Sequence, residues 1–335
     1  MSAPIIVPEW SLHVGDCRLV LPRLPARCCA AMVTDPPSGL GFMGLAWDLA
    51  RAEVFAGLLE EAFAEALRVL QEGAWALVWA HPATSHWTAA ALERAGYTIE
   101  TKIPWINAEA KPQPWRVGRL APGHEEWILA RAPGPRRPLS MRLWRDAGGG
   151  RHPRGLIIGR GAGELLDAAI GRRRSGAMHG ERKADKQRHS YGANKGSKIE
   201  SFEGSDGGAS RFFPHEDRLL AVYGARARHR KHRQLGPGGR ESEHPTLKST
   251  DLLLPLVDLV AGEEAGDGPV LDIFAGSGAV GEAALLLGRG FVGVELGEDP
   301  RWPAEARERL QATARHLARR EPASRQASIF TGEPA

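Results

Sequence analysis

Apolar residues in the N-terminal third of the chain follow two different spacings. Short apolar runs at residues 11–14, 30–34, 74–80 and 97–106 have the length of buried strands, whereas apolar positions at residues 50–71 and 85–95 recur at helical spacing. Strands that alternate with helices in this way predict a mostly parallel sheet. The first two strands stop at Asp16 and at Asp35, so polar residues are placed at strand ends.

The C-terminal third has the same alternating character. Residues 250–260 and 278–288 are predicted to be helices, and residues 268–274 and 290–296 are predicted to be strands. A last, charged helix is predicted at residues 303–320, followed by a frayed tail from residue 321 onward. The pattern as a whole predicts an α/β fold.

The middle of the chain has a different composition. Pro, Gly and Arg dominate residues 134–160, and Lys joins them in residues 171–198. The net charge is only +4, yet the pI is near 9.1 and basic residues gather between Arg172 and Arg240. This segment is interpreted as a contact surface for a polyanion, with a solvated insertion that binds no partner as the alternative.

A glycine-rich turn follows the predicted strand at residues 268–274. Gly276 and Gly278 lack side chains, which lets the backbone approach a ligand, and the amides of the next helix point toward it. Glu295 ends the following strand, where a carboxylate can accept hydrogen bonds from ribose hydroxyls. These features predict a cofactor that contains a nucleoside.

The glycines also leave two alternatives open. With Gly281 they satisfy the G-x-G-x-x-G pattern of nicotinamide dinucleotide sites, which would make the protein an oxidoreductase, and such turns are in some proteins merely structural. Asp272 favours a cationic or zwitterionic ligand, because its carboxylate would repel a pyrophosphate.

The Asp-Pro-Pro sequence after the second strand predicts a rigid loop. Pro36 and Pro37 prevent the chain from continuing as helix or sheet. The exocyclic amino nitrogen of adenine or cytosine is a weak nucleophile, and a site that methylates it must hold both amino hydrogens. Asp35 and the carbonyl of Pro36 can supply these two acceptors, so that an in-line transfer is driven by positioning. A plain turn closed by these residues is the alternative.

The order of these motifs resembles the beta class of DNA amino-methyltransferases, which modify adenine N6 or cytosine N4 in bacterial and phage DNA. The resemblance rests on MVTDPP near the N-terminus, EHPTLKSTDLLLPLVDLV after the long middle, and VLDIFAGSGAVGEAALL followed by FVGVEL. FMGLAWD, PGHEEWILAR and GGASRFF are also similar to segments of that family. The resemblance covers nearly the whole chain and implies a circularly permuted, Rossmann-like sheet that binds S-adenosylmethionine and flips its target base.

The resemblance also implies roles for individual residues. Asp35, Pro36, Pro37 and Ser38 would form the methyl-transfer loop. The cofactor pocket would be formed by three groups: Asp272, Phe274, Gly276 and Gly278 along the turn; Glu295 at the ribose and Asp16 near the adenine; and His244, Pro245, Thr246 and Lys248 toward the methionine end.

Domain boundaries and partners follow from the same resemblance. Residues 1–135 and 241–322 are predicted to form the catalytic domain, residues 136–240 an inserted target-recognition module, and residues 323–335 a flexible tail. Double-stranded DNA is the expected partner, and a homodimer and a cognate restriction endonuclease are further expectations. The chain has no leader-like N-terminus and no run of eighteen apolar residues, so we expect a cytoplasmic protein of a bacterium or phage that contacts no membrane.

Two positions depart from the family pattern, and the minor one is Ser249, where the family usually continues Lys-Pro. The family has an aromatic residue directly after Asp-Pro-Pro, whereas this chain has Ser38, which cannot stack on a base; Phe42 and Trp47 are candidates for that ring. A methyltransferase-like DNA-binding protein with impaired catalysis is therefore a second hypothesis. In that family the Asp form of the loop occurs more with adenine and a Ser form more with cytosine, so the resemblance implies adenine as the target. Cys17, Cys28 and Cys29 are interpreted as reduced core thiols, and no set of histidines predicts a metal site.

Overall fold

The computed structural model describes residues 9–41, 48, 52–106, 123–141, 144, 155, 157–158, 162–175, 205–207, 235, 239–244 and 247–319. The strands in these residues are β1 (Trp10–Val14), β2 (Cys29–Thr34), β3 (Leu70–Ala80), β4 (Thr98–Ile106), β5 (His124–Arg131), β6 (Ile157–Ile158), β7 (Arg173–Ser175), β8 (Ser205–Gly207), β9 (Val270–Asp272) and β10 (Phe291–Glu295). The helices are α1 (Cys17–Val20), α2 (Ala52–Val69), α3 (Ser85–Arg94), α4 (Ala162–Ile170), α5 (Thr250–Ala261), α6 (Ala279–Leu286) and α7 (Arg301–Ala318).

Eight of the strands form one sheet in the order β1-β10-β9-β2-β3-β5-β4-β6. Neighbouring strands are parallel except at β5, which runs antiparallel to both β3 and β4. β9 and β10, from the C-terminal third, lie between β1 and β2 from the N-terminus. The two ends of the chain therefore build one continuous sheet, and their strand ends share one edge.

Alternation of side chains along the central strands explains why both faces of this sheet are buried. On β3, Trp75, Leu77 and Trp79 point to one face, while Ala76 and Val78 point to the other. The first face packs against the leucines of α5 and the alanines of α6. The second face packs against α2, where Phe55, Leu59 and Phe63 are spaced by about one helical turn.

The predicted elements are confirmed with boundary shifts of a few residues, the largest at β3, which begins four residues earlier than its apolar run. The mostly parallel α/β sheet is also confirmed. The predicted tail and most of the basic middle segment lie outside the described residues, and the domain boundaries stay a prediction. Cys17 and Cys29 are buried free thiols, and Cys28 is partly exposed. Within the described part of the chain, no helix is both long and apolar enough to cross a membrane.

Candidate functional site

Acidic side chains from five strands meet at the edge where the parallel strands end. Asp272 and Glu295 are the last residues of β9 and β10, Asp16 and Asp35 follow β1 and β2, and Glu125 lies near the start of antiparallel β5. Carboxyl ends of parallel strands share one edge of a sheet, and ligands of open α/β folds bind there. The topology therefore brings together residues that are up to 279 positions apart in the sequence, from Asp16 to Glu295.

The turn between β9 and α6 is built for close approach of a ligand. Gly276 and Gly278 have φ of +50° and +76°, a region that residues with a Cβ rarely adopt. A Cβ on Gly276 would lie 3.3 Å from Nε2 of His244, so a side chain there would fill the space beside the imidazole. The amide of Gly276 donates a 2.7 Å hydrogen bond to Oε2 of Glu295. This bond ties the turn to the end of β10.

A buried ion pair supports the same turn. Arg309 of α7 and Glu282 of α6 are fully buried, and their NH1 and Oε2 atoms are 2.7 Å apart. Nε of Arg309 also donates a 2.8 Å hydrogen bond to the carbonyl of Ser277 within the turn. Thr250, at the start of α5, donates to Glu282 at 2.9 Å. Three helices are thus joined to the glycine turn by one polar cluster.

Asp272 connects the glycine turn to the strand that carries the Asp-Pro-Pro loop. Its Oδ1 accepts hydrogen bonds from Oγ1 of Thr34 at 2.7 Å and from the amide of Phe274 at 3.2 Å. The side chain is only 1% exposed. Burial raises the pKa of Asp272 to about 7, although both hydrogen bonds oppose this shift. Since Thr34 directly precedes Asp35, the two halves of the candidate site are in fixed register.

Asp16 and Glu295 lie at the ends of two paired strands, β1 and β10. Oδ2 of Asp16 is 2.6 Å from NH2 of Arg18, and Oδ1 accepts from the Arg18 amide at 2.9 Å. The side-chain bond from Arg18 lowers the pKa of Asp16. Burial raises the pKa of Glu295, and this effect outweighs the hydrogen bond from the Gly276 amide, which lowers it. Asp16 is therefore a paired carboxylate that caps α1, and Glu295 is a half-buried one.

The loop after Asp35 is held by a buried carboxyl group. Oγ of Ser38 donates to Oδ2 of Asp48 at 2.7 Å, and the Gly39 amide donates to Oδ1 of Asp48 at 2.6 Å. The carbonyl of Ser38 accepts from Oγ1 of Thr84 at 2.7 Å. Asp48 is 1% exposed. Ser38 thus has no ring that could stack on a base, but its side chain and its backbone carbonyl hold the loop in place through hydrogen bonds.

Lys248 lies against the Asp-Pro-Pro loop. Its Nζ is 3.3 Å from Oδ2 of Asp35 and 3.4 Å from Oε2 of Glu125, and it lies 3.8 Å from the centroid of the Trp79 ring. Nε1 of Trp79 donates to the same Oε2 of Glu125 at 2.6 Å. One cation is therefore held between two carboxylates and an aromatic face.

These contacts set the protonation of Asp35. Burial raises the pKa of Asp35 to about 6, the Lys248 charge opposes this, and the Glu125 charge adds to it. Burial lowers the pKa of Lys248, but the charges of Asp35 and Glu125 outweigh burial and raise it overall. At neutral pH Asp35 is ionised and can accept a hydrogen bond, and Lys248 is a cation.

His244 lies beside the glycine turn. Its ring meets that of Trp302 edge to face, with centroids 4.8 Å apart, and its amide donates to Oγ of Ser242 at 3.1 Å. Ser242 donates in turn to Oε2 of Glu305 on α7 at 2.6 Å. Helix α7 thus positions the segment that carries His244. Pro245, Thr246, Phe42 and Trp47 lie outside the described residues.

The structure brings most of the predicted site residues to one edge of the sheet. Asp272 accepts hydrogen bonds from Phe274 and from Thr34, the neighbour of Asp35, and Gly276 donates one to Glu295. Lys248, predicted near the methionine end of the cofactor, lies against the Asp-Pro-Pro loop, and its role stays a prediction. Sequence reasoning missed Glu125, Trp79 and Thr34. Thr34 ends an apolar run and Trp79 is the last residue but one of another, whereas Glu125 comes before its run and carries no such signal. Among the described residues, no cluster of His, Cys, Asp and Glu could hold a metal ion.

The fold is that of an α/β enzyme. At the edge where its parallel strands end, a glycine-rich turn suited to a nucleoside-containing ligand lies beside the rigid Asp-Pro-Pro loop. The family model N6_N4_Mtase, described as DNA methylase, matches residues 30–300, which is most of the chain. The chain belongs to this family and is a DNA methyltransferase. This membership decides against the nicotinamide-dependent oxidoreductase.

A solved DNA methyltransferase shares the fold of this chain. The PvuII DNA methyltransferase, which is cytosine-N4-specific, is 15% identical and aligns over 93% of this chain and 94% of its own with a TM-score of 0.53, which shows a shared fold. TTHA0409 of Thermus thermophilus, provisionally named a DNA modification methylase and complexed with S-adenosylmethionine, is 18% identical over 91% and 94% of the chains, with a TM-score of 0.48. The M1.HpyAVI complex with S-adenosylmethionine is 15% identical over 90% and 100%, with a TM-score of 0.48. No curated protein sequence matches significantly.

Proposed function

We propose that this protein methylates the N6 amino group of adenine in double-stranded DNA, with S-adenosylmethionine as the methyl donor. Cytosine N4 is the alternative target. The observation that carries the proposal is the hydrogen bond from Thr34 to Asp272, which connects the acceptor loop at Asp35 to the glycine turn. A methyl donor bound on the turn and an amino group held by the loop would therefore face each other across adjoining strand ends.

The residues of the turn fit this cofactor. The missing Cβ at Gly276 leaves a cradle beside His244, and Glu295 offers a half-buried carboxylate to ribose hydroxyls. The acidic surroundings of Asp272 suit a cationic sulfonium better than a pyrophosphate. When bound, S-adenosylmethionine supplies an electrophilic methyl group.

The loop residues supply the acceptors for the amino group. Ionised Asp35 accepts one amino hydrogen and the carbonyl of Pro36 accepts the other, which directs the nitrogen lone pair toward the methyl carbon. Held in this way, the amino group would take up the methyl group that S-adenosylmethionine would supply and would lose one proton. The Asp35 carboxylate, whose Oδ2 lies 3.3 Å from Nζ of Lys248, would be the acceptor for that proton.

DNA binding is assigned to the basic middle segment between Arg172 and Arg240. Its Lys and Arg residues suit non-specific contacts with phosphates, which would make the affinity fall steeply with salt. The inserted segment is also the candidate for sequence readout. A homodimer and a cognate restriction endonuclease stay predictions.

The test is transfer of labelled methyl groups from S-adenosylmethionine to mixed-sequence duplex DNA, followed by nucleoside mass spectrometry. The proposal expects labelled N6-methyladenine. Labelled N4-methylcytosine would change the target base and keep the mechanism. DNA binding without label would favour the second hypothesis, in which the protein binds DNA but lacks catalysis.

A further inference from the structure

Glu125 contacts the candidate site although it belongs to none of the predicted motif positions with an assigned role. It lies on β5, the antiparallel strand beyond β3. Trp127 pairs with Trp79 in the β3–β5 register, so Glu125, two residues earlier, points to the same face as both rings. This is the face on which Trp79 and Lys248 meet.

The geometry of Glu125 is fixed by two donors on one oxygen. Oε2 accepts from Nε1 of Trp79 at 2.6 Å and lies 3.4 Å from Nζ of Lys248. Trp79 is 8% exposed, so its ring cannot move freely, and the same ring carries the Lys248 ammonium at 3.8 Å. Glu125 and Trp79 therefore hold Lys248 from two sides and leave it aimed at Asp35.

We propose that Glu125 is a positioning residue which acts through Lys248 and Trp79 to fix the direction and the charge state of the Asp35 carboxylate. The proposal rests on the proposed function of Asp35 as the acceptor for the target amino group.

The charged groups that face Asp35 determine the sign of the effect. Lys248 approaches from the segment before α5, Glu125 from β5 and Asp272 from the end of β9. The charge of Lys248 lowers the pKa of Asp35, whereas the negative charge of Glu125 raises it. Glu125 also interacts with the charge of Lys248 and raises the pKa of Lys248. A neutral group at position 125 should therefore lower the pKa of Asp35, and loss of the Lys248 charge should raise it.

The experiment measures the methyl-transfer rate as a function of pH for four variants. In Glu125→Gln the amide oxygen still accepts from Trp79, so we expect a normal plateau and an acidic limb displaced downward by about one pH unit. Glu125→Ala also removes the acceptor, and we expect the plateau to fall about tenfold because Lys248 and Asp35 lose their alignment. Lys248→Met should displace the limb upward. Glu126→Gln is the matched control: this neighbour points to the opposite face, where it lies 3.1 Å from Lys102, and it should leave the limb unchanged.

A second readout does not depend on activity. Carboxyl carbon NMR of aspartate-labelled protein, with the Asp35 signal assigned from Asp35→Asn, should show the same displacements of the Asp35 titration in Glu125→Gln and Lys248→Met. If the native protein transfers no methyl group, the proposed function fails while this titration still tests the coupling. An Asp35 titration that is unmoved or moves upward in Glu125→Gln would overturn the inference.

Discussion

Replacement of Arg309 by Met should destabilise the protein and weaken the cofactor site together. The variant leaves the Glu282 carboxylate fully buried without its cation, and breaking such a pair costs about 3–5 kcal/mol. It also removes the donor to the Ser277 carbonyl in the glycine turn. The free energy of unfolding, measured in urea, should fall by roughly that amount, and the dissociation constant for S-adenosylmethionine should rise.

A double variant separates the buried charge from a general loss of packing. Glu282→Gln in the Arg309→Met background removes the uncompensated charge and keeps an acceptor for Thr250, so it should recover a large part of the lost stability. Arg94→Met breaks the exposed pair with Glu60 and should cost about 0–1 kcal/mol. If Arg309→Met loses no more than this surface control, the ion pair does not support the turn as described.

Three further predictions concern the site itself. Gly276→Ala should raise the dissociation constant for S-adenosylmethionine about tenfold by calorimetry, because a positive φ costs an L-residue roughly 1–2 kcal/mol and the new Cβ lies 3.3 Å from His244; unchanged affinity would contradict the cradle. Ser38→Tyr should lower the transfer rate, since it removes the hydrogen bond to Asp48, and a gain in rate would instead show that the loop needs a stacking ring. The transfer rate of the native protein should fall below pH of about 6, where the Asp35 carboxylate takes up a proton and is lost as an ionised acceptor for the amino group. A fall in rate that begins only near pH 4 would refute this.

The sequence predicted the elements well because burial of both sheet faces leaves unbroken apolar runs, such as residues 74–80 in β3. The positions of Asp35, Gly276 and Glu295 were also predictable, since each stands where a strand ends. Contacts between side chains of different strands and segments could not be predicted. Glu125 meets Lys248 only because β5 inserts antiparallel beside β3, and nothing in the local sequence specifies that order.

Helix α7 shows a second limit of sequence reasoning. The sequence predicts only that this helix is charged, and the structure shows that Glu305, Arg309 and Thr313 are buried on one face at intervals of four residues. A charged position in a sequence is ordinarily assigned to the surface, because the sequence does not show that a partner such as Glu282 lies on another helix. Likewise, Ser38 looks from the sequence like the loss of a ring, whereas the structure gives it the Asp48 carboxyl as a partner.

The central claim is that Asp35 presents an amino group to a methyl donor bound on the glycine turn. The most direct test compares native protein and Asp35→Asn for transfer of labelled methyl from S-adenosylmethionine to duplex DNA, with cofactor binding measured on both. We expect labelled N6-methyladenine from the native protein, and a loss of transfer of about a hundredfold or more in Asp35→Asn with cofactor affinity retained. Equal transfer by the two proteins would contradict it.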